Sequence, residues 1–393
     1  MRILLVHCRY RQRGGEDSVF ETEVSQLSEA GQDVSLCEFS NDDIAAGSAI
    51  EKLRTGIQTV WATESVKQLR ERVRSERPDV VHFHNTFPVL SPRAYRVCRE
   101  EGVPVVQTLH NFRTFCAGAM LMRDGKVCEA CFGGHFYQGV RYACYRQSRL
   151  ASAAVVAMQY VHHGMGTFTE CVDAYIALTD FAKVKCVAGG LPESHIVVKP
   201  NSLTTDPGMG AGAGDYVLFV GRLSEEKGIR TLLEAWKVLT DIPLVMAGDG
   251  PLLDYVKARA QELGHRVTVL GRVSEAEVAN LMGSARLLVM PSEWYEGFPM
   301  TAVEAYARGL PIIASRIGSL AEIVHDGVSG ALFPAGDCAA LAATVNELIS
   351  DQERLGTFRR GARQQFVDHY SAANNVAALL SIYSAVVERR AVA

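Results

Sequence analysis

The chain is predicted to be an α/β protein of two doubly wound, Rossmann-like parallel-sheet domains facing a cleft, on three observations. Short apolar runs rich in Val, Ile and Leu alternate with amphipathic segments; the alternation breaks and restarts; and the break falls on a stretch of Gly, Ala and Thr. Continuous apolar strands separated by helical periods mean a parallel sheet covered on both faces. With 393 residues, 48% of them hydrophobic and 21% charged, there is material for two cores of ordinary domain size.

Along the chain, "RILLVH" reads as a strand, "SVFETEVSQLSEAG" as a helix, and "VVHFHN" and "VPVVQTLH" as further strands. The pattern stalls in a Gly- and Cys-rich insertion, 112–146, then resumes at "DAYIALT" and "HIVVKPNSL", closing a first domain at 203. Residues 204–214, "TTDPGMGAGAG", have the composition of a linker. A second domain, 215–370, repeats the alternation through "YVLFVGRL", "GIRTLLEAWKVL", "PLVMAGDGP", "VTVLGRV", "ARLLVMPS", "MTAVEAYARG", "PIIAS" and "GALFPAGD". The terminal helix in 371–393 can pack back on the first domain or belong to the second. Ligands of such sheets bind beyond the carboxyl ends of the strands, so two facing sheets make one deep cleft.

The formal net charge is −4; residues 1–200 hold 23 Lys+Arg against 22 Asp+Glu, and the remainder 17 against 22. That balance gives no support to nucleic-acid binding, which normally shows as a basic domain. The N-terminal apolar run is too short for a secretory leader, and no uninterrupted apolar run approaches 18 residues, so the chain is expected in the cytoplasm. Ten cysteines without an export signal point to reduced thiols or a metal site.

Three motifs carry chemistry. "VGRLSEEKG" places Arg222 and Lys227 on a short loop between a strand and a helix, where two cations and a helix N-terminus suit a diphosphate. "RGGED" follows the first strand, and its glycines let a backbone approach a ligand, although it is not G-x-G-x-x-G and a dinucleotide reading is weak. "EWYEGFPMTAVEAYARG" sets Glu296 and Glu304 eight positions apart around a Gly-Phe-Pro turn. With a helix starting near Met300, the two lie roughly 12 Å apart at 1.5 Å per residue. Paired carboxylates for glycoside hydrolysis stand about 5–9.5 Å apart, so this pair suits two separate hydrogen-bonding tasks along an elongated ligand. The N–H groups of Gly297, Phe298, Met300 and Thr301 lie between them, and Pro299 fixes the turn.

Taken in order, "GRLSEEKG", "AGDGP", "LGRVSEAEV", "MPSEWYEGFPMTAVEAYARGLPIIAS" and "HDGVSGALFPAGD" strongly resemble the retaining nucleotide-sugar glycosyltransferases of family four, which have the GT-B fold; "GGED", "PDVVHFHN" and "TLHN" extend the resemblance more thinly into the first domain. The resemblance implies that Arg222 and Lys227 hold the donor diphosphate, Glu296 the donor-sugar hydroxyls and Glu304 the ribose. It implies further that the backbone from Gly297 to Thr301 meets sugar and phosphates, that Arg272 and Val273 lie near the nucleobase, that His110 faces the donor sugar, and that Gly15 approaches the phosphate. The donor would be a nucleoside-diphosphate sugar, UDP or GDP, and the acceptor a glycan, a lipid-linked sugar or a small molecule. No cofactor or metal is required for such catalysis, because fixed cations take a metal's place. Of His82 and His84, one is expected to reach the cleft and the other to pack in the core.

The sequence departs from the common family pattern after His110, where Cys116, Cys128, Cys131 and Cys144 form C-x11-C-x2-C-x12-C. This spacing fits a closed structural zinc site and equally four unlinked thiols. "VKQLRERVRSER", residues 66–77, offers five basic residues for anionic lipid, hence a peripheral contact on the cytoplasmic membrane face, against the alternative of a solvated helix covering the sheet. Arg9, Arg11 and Arg13 offer an acceptor phosphate a similar contact. Two rival functions stay open: a non-catalytic sugar-nucleotide-binding protein and a GT-B-shaped sugar-nucleotide epimerase.

Overall fold

Strands form where the apolar runs predict them. The computed structural model describes residues 1–9, 14–40 and 49–392, and divides into two compact units. Unit 1 comprises Met1–Leu121, Cys128–Thr204 and Ala372–Ala393; unit 2 comprises Met122–Val127 and Thr205–Ser371. Arg11 and Arg13 lie outside the described residues.

Unit 1 is built on β1 (Arg2–Arg9), β2 (Asp33–Ser40), β3 (Val80–Phe83), β4 (Val105–Leu109), β7 (Ala174–Ala177) and β8 (Ile196–Val198). A two-residue-per-strand hairpin, β5 (Met122–Arg123) and β6 (Lys126–Val127), intervenes in sequence. The sheet runs β2-β1-β3-β4-β7-β8 with every pair parallel. All residues of β3, β4 and β7 are buried, as a sheet covered on both faces requires. Val66, Leu69 and Val73 bury one stripe of the Glu64–Glu76 helix. On its other face Arg70 pairs with Glu100 and Glu101, Arg72 with Glu76, and Arg74 with Glu101. The basic segment is therefore a sheet-covering helix, with Arg70, Arg72 and Arg74 paired within the protein. Arg9 is likewise paired, with Glu21 and Glu38.

Unit 2 holds β9 (Val217–Val220), β10 (Leu244–Ala247), β11 (Val267–Gly271), β12 (Leu287–Met290), β13 (Ile312–Ser315) and β14 (Gly330–Phe333), in the parallel order β11-β10-β9-β12-β13-β14. Its core centres on Trp236, fully buried, whose indole N–H donates to the Ile242 carbonyl at 2.9 Å. In both units the strand order reverses once, between β1 and β3 and between β9 and β12. Loops diverge at such a switch point and open a crevice beyond the strands' carboxyl ends.

Two segments differ from their sequence reading. The Gly-rich 204–214 stretch is no free tether: Gly210, Gly212 and Gly214 donate backbone hydrogen bonds to Arg308, Gly283 and Ser284. A Cβ on Gly210 would stand 2.4 Å from the Gly283 carbonyl, so these glycines serve close packing rather than flexibility. The stretch Gln352–Arg390 has the length and composition of a membrane-crossing helix, which a search for uninterrupted apolar runs does not detect. Within it, Leu379, Ile382, Tyr383 and Val386 are buried in unit 1, and Arg390 pairs with Asp173 at 2.9 Å.

Candidate functional site

In unit 2 the loops after β9, β10 and β12 nest backbone against backbone. Gly228 has φ 66°, and a Cβ there would lie 1.8 Å from the Pro291 carbonyl oxygen; Gly248, at φ 151°, would meet the Gly221 carbonyl at the same distance. Only glycine permits these approaches. The nesting delivers Lys227, on the Glu225–Lys227 turn, to Glu296 beyond β12, with Nζ 2.6 Å from Oε1. The Ser292 hydroxyl donates to the same oxygen at 2.6 Å, and the Lys227 ammonium sits 5.7 Å from the Trp294 ring centroid. Glu296 is 4% exposed, so its charge is tolerable only because Lys227 and Ser292 hold one oxygen. Arg222 is exposed, and its guanidinium has no hydrogen bond or ion pair with a described residue.

The helix after the turn begins at Met300, as the sequence reading has it, and no side chain caps Pro299. Among the described residues the N–H groups of Gly297, Phe298, Met300 and Thr301 therefore find no acceptor, and they stand at the positive end of a helix dipole. Glu304, on the second turn, is half-buried. Burial pushes its carboxyl above the usual range, and the like charge of Glu275 adds to the rise. Glu275 opens the helix that follows Arg272 and Val273, so Glu304 and that loop share one side of the unit. Arg272 is exposed, while Val273 lines a shallow hollow with Tyr216, Leu270 and Leu281.

Unit 1 gathers its polar residues at the same kind of place. At the start of the Gly15–Glu29 helix the Gly14 N–H donates to the Asp17 carboxylate at 2.8 Å, and that carboxylate also meets His7 Nε2 at 2.8 Å. Gly15 has ordinary backbone, and among the described residues nothing lies within 4 Å of the place its Cβ would take. Asn111, next to His110, donates to Glu16 at 2.7 Å and ties the two loops together. His110 Nε2 lies 3.1 Å from His84 Nδ1, with the rings stacked. His84, Phe87, His110, Arg113 and Thr114 line a pocket within unit 1. Burial first, then the neighbouring imidazoles, hold His110 well below the usual histidine range, so it is a neutral hydrogen-bonding group.

His84 lines the pocket and His82 does not, although the two lie on one face. Positions two apart on a strand share a face, and their ring centroids are 4.5 Å apart with both residues buried. His82 is closed off by Tyr383 and Thr108, each at 2.8 Å. Behind them lies a buried group that motif reading misses: Glu23, Lys199 at 2.9 Å, Asn375 and Gln26. Burial pushes the Glu23 carboxyl up, but Lys199 and His84 outweigh it and hold it well below the carboxylate range. A lone Lys at the end of the apolar run "HIVVKP" was the only available signal. In unit 2 the residues missed are Ser292 and Trp294, inside the quoted stretch yet without a pattern of their own.

Residues 211–365 match the glycosyl transferases group 1 family, and residues 24–202 the glycosyl transferase 4-like domain. An uncharacterized glycosyltransferase of Methanocaldococcus jannaschii is 33% identical over 84% of this chain and 81% of its own length. The phosphatidyl-myo-inositol mannosyltransferase of Mycobacterium leprae is 29% identical over 83% of this chain and 79% of its own. Among solved structures, Anabaena HepE in complex with UDP superposes with a TM-score of 0.69 at 18% identity, covering 98% of this chain and 100% of HepE. The chain thus belongs to the glycosyltransferases of family four, and its two parallel-sheet units are those of the GT-B fold.

Proposed function

We propose that this glycosyltransferase is a retaining enzyme that moves a hexose-type sugar from a nucleoside-diphosphate sugar, UDP- or GDP-linked, to a glycan, lipid-linked or small-molecule acceptor. The observation that carries the reading is the Lys227–Glu296 pair at the switch point of unit 2, together with Arg222 and four backbone N–H groups that have no partner among the described residues. HepE has been solved with UDP and with UDP-glucose, which supports a donor of that class.

In this reading Arg222, Lys227 and the N-terminus of the Met300–Ala307 helix take the diphosphate, Glu296 takes sugar hydroxyls and Glu304 the ribose. The sugar–phosphate bond breaks as the acceptor oxygen bonds to the anomeric carbon on the same face, and the departing diphosphate accepts the acceptor's proton. The protein's share is charge stabilisation of the leaving group and orientation. Glu296, held by a lysine and a serine, is placed to bind rather than to attack. Unit 1 is the proposed acceptor-side domain, and the cytoplasm is the proposed compartment.

The test is nucleoside-diphosphate release from UDP- and GDP-sugars, with and without acceptors extracted from cells. Acceptor-dependent release is expected, falling about 10²-fold or more in Glu296→Ala. Full transfer by that variant would sink the site assignment, and donor binding without release would favour a non-catalytic binding protein.

A further inference from the structure

The insertion that follows His110 does not gather its cysteines. Among the described residues Cys116, Cys128, Cys131 and Cys144 form no disulfide, and only Glu23, His82 and His84 have ligand atoms all within 4.8 Å of one another. The closed zinc site that the cysteine spacing allows is therefore not assembled. What the start of the insertion does fix is Arg113. Its guanidinium carbon stands 4.1 Å from the Phe87 ring centroid and 5.2 Å from that of Tyr145. Nη1 donates to the Ala117 carbonyl at 3.0 Å. The backbone N–H donates to Asn111 Oδ1 at 3.1 Å, and the carbonyl accepts from Gln159 Nε2, on the Arg149–Gly164 helix, at 2.8 Å. The charge is thus held in place before any ligand arrives, which lowers the cost of binding one.

One edge of that guanidinium is left over. Nε is buried with no hydrogen-bond partner, and Nη2 makes no hydrogen bond with a described residue. These two N–H groups are the side-on fork with which a guanidinium takes two oxygens of a carboxylate or phosphate. Thr114, the next residue, repeats the shortfall, for its Oγ1 is also buried and unpartnered, and both residues line the pocket. A counter-charge is missing as well. No Asp or Glu lines this pocket. Arg113 has no ion pair with a described residue, unlike Arg9, Arg70, Arg74 and Arg390, and the Glu16 carboxylate accepts from Asn111 instead. Buried donors without acceptors cost stability in the free protein. A single oxyanion would satisfy the fork, the hydroxyl and the charge together.

We propose that Arg113 and Thr114 form an oxyanion subsite in the unit 1 pocket, and that the acceptor of this transferase carries a phosphate or carboxylate group there. The inference rests on the reading of unit 1 as the acceptor side. Arg113 Nε and Nη2 donate to two oxygens of the group and Thr114 Oγ1 donates to one of them, beside aromatic faces where such hydrogen bonds are stronger than in water. No bond is made or broken at this subsite. It orients the acceptor.

The test is a titration of the full chain, labelled with nitrogen-15 arginine, with inorganic phosphate and with acetate at constant ionic strength. The Nε–H resonance of Arg113, assigned through its backbone and by its loss in Arg113→Lys, is expected to move saturably with at least one of these anions and not with chloride. Saturating UDP or GDP leaves that movement in place. Thr114→Val removes a hydroxyl that bonds nothing in the free protein, so it is expected to keep the Tm and to weaken the anion about tenfold, the effect of one hydrogen bond to a charged group. A hexose phosphate and a hexuronate compete at the site where a neutral hexose does not, and the tighter of the two names the acceptor's anion. No movement with either anion, or undiminished affinity in Thr114→Val, overturns the proposal. Displacement of the anion by UDP or GDP overturns it too, because the site then belongs to the donor. Nucleotide binding to unit 2 is read in the same samples, so failure of this subsite and failure of the donor reading are distinguishable.

Discussion

Glu304, the proposed ribose ligand, weakens the ligand-free fold at neutral pH. Its folded-state carboxyl is raised by burial and by Glu275, so its contribution is intact below the unfolded value of about 4.3 and is lost as pH rises through the raised value. Glu304→Gln is therefore expected to raise the Tm of the ligand-free protein at pH 7.5, to leave it little changed at pH 4.5, and to weaken nucleotide binding. A lower Tm at pH 7.5 would contradict this account. Lys227 poses the reverse case, because its removal leaves the buried Glu296 with Ser292 alone. Lys227→Met is expected to cost about 1–3 kcal/mol in urea unfolding, the range for stranding a buried acceptor, and Lys227→Met combined with Glu296→Gln recovers most of it.

At the scale of elements, glycines decide whether the loops of unit 2 nest. Gly228→Ala forces a Cβ against the Pro291 carbonyl in left-handed backbone. Stability should drop by about 1–3 kcal/mol, and donor affinity with it, since Lys227 and Glu296 sit on the two loops pushed apart. Unchanged affinity would show that the nesting does not position the pair. The strands and this pair were legible in the sequence because parallel strands are continuous apolar runs and the E-x7-E stretch is long and ordered. The rest was not, for physical reasons. Whether "GMGAGAG" is a tether or a packed strap depends on which backbone it lies against, and composition is the same for both. In the Glu23, Lys199, Gln26 and Asn375 group a hydrogen bond joins Gln26 to Asn375, 349 positions apart in sequence, where no local pattern exists. The terminal helix reads as ordinary until Asn375 and Tyr383 are seen to complete that group.

Over the whole molecule the two units answer acid with opposite signs. In unit 1, His82 and His110 are held neutral well below their usual range by burial. Stability is therefore lost as pH falls below the unfolded value of about 6.5, and Glu23 adds to the loss as pH drops toward its lowered value. Glu304 makes unit 2 gain over part of the same range. Hydrogen exchange, corrected for intrinsic rate, should show β3 and β4 losing protection between pH 7.5 and 5 while β9 and β12 keep theirs; equal loss in both units would contradict the assignment. The central claim, that the switch point of unit 2 is a nucleoside-diphosphate site, is tested most directly by calorimetric titration of UDP and GDP into the wild type and Arg222→Ala. The account predicts saturable binding of at least one nucleotide, weakened at least about tenfold by the substitution, in line with the roughly 1.5–3 kcal/mol of a charge-assisted contact. Binding of neither nucleotide, or equal affinity in the variant, would contradict it.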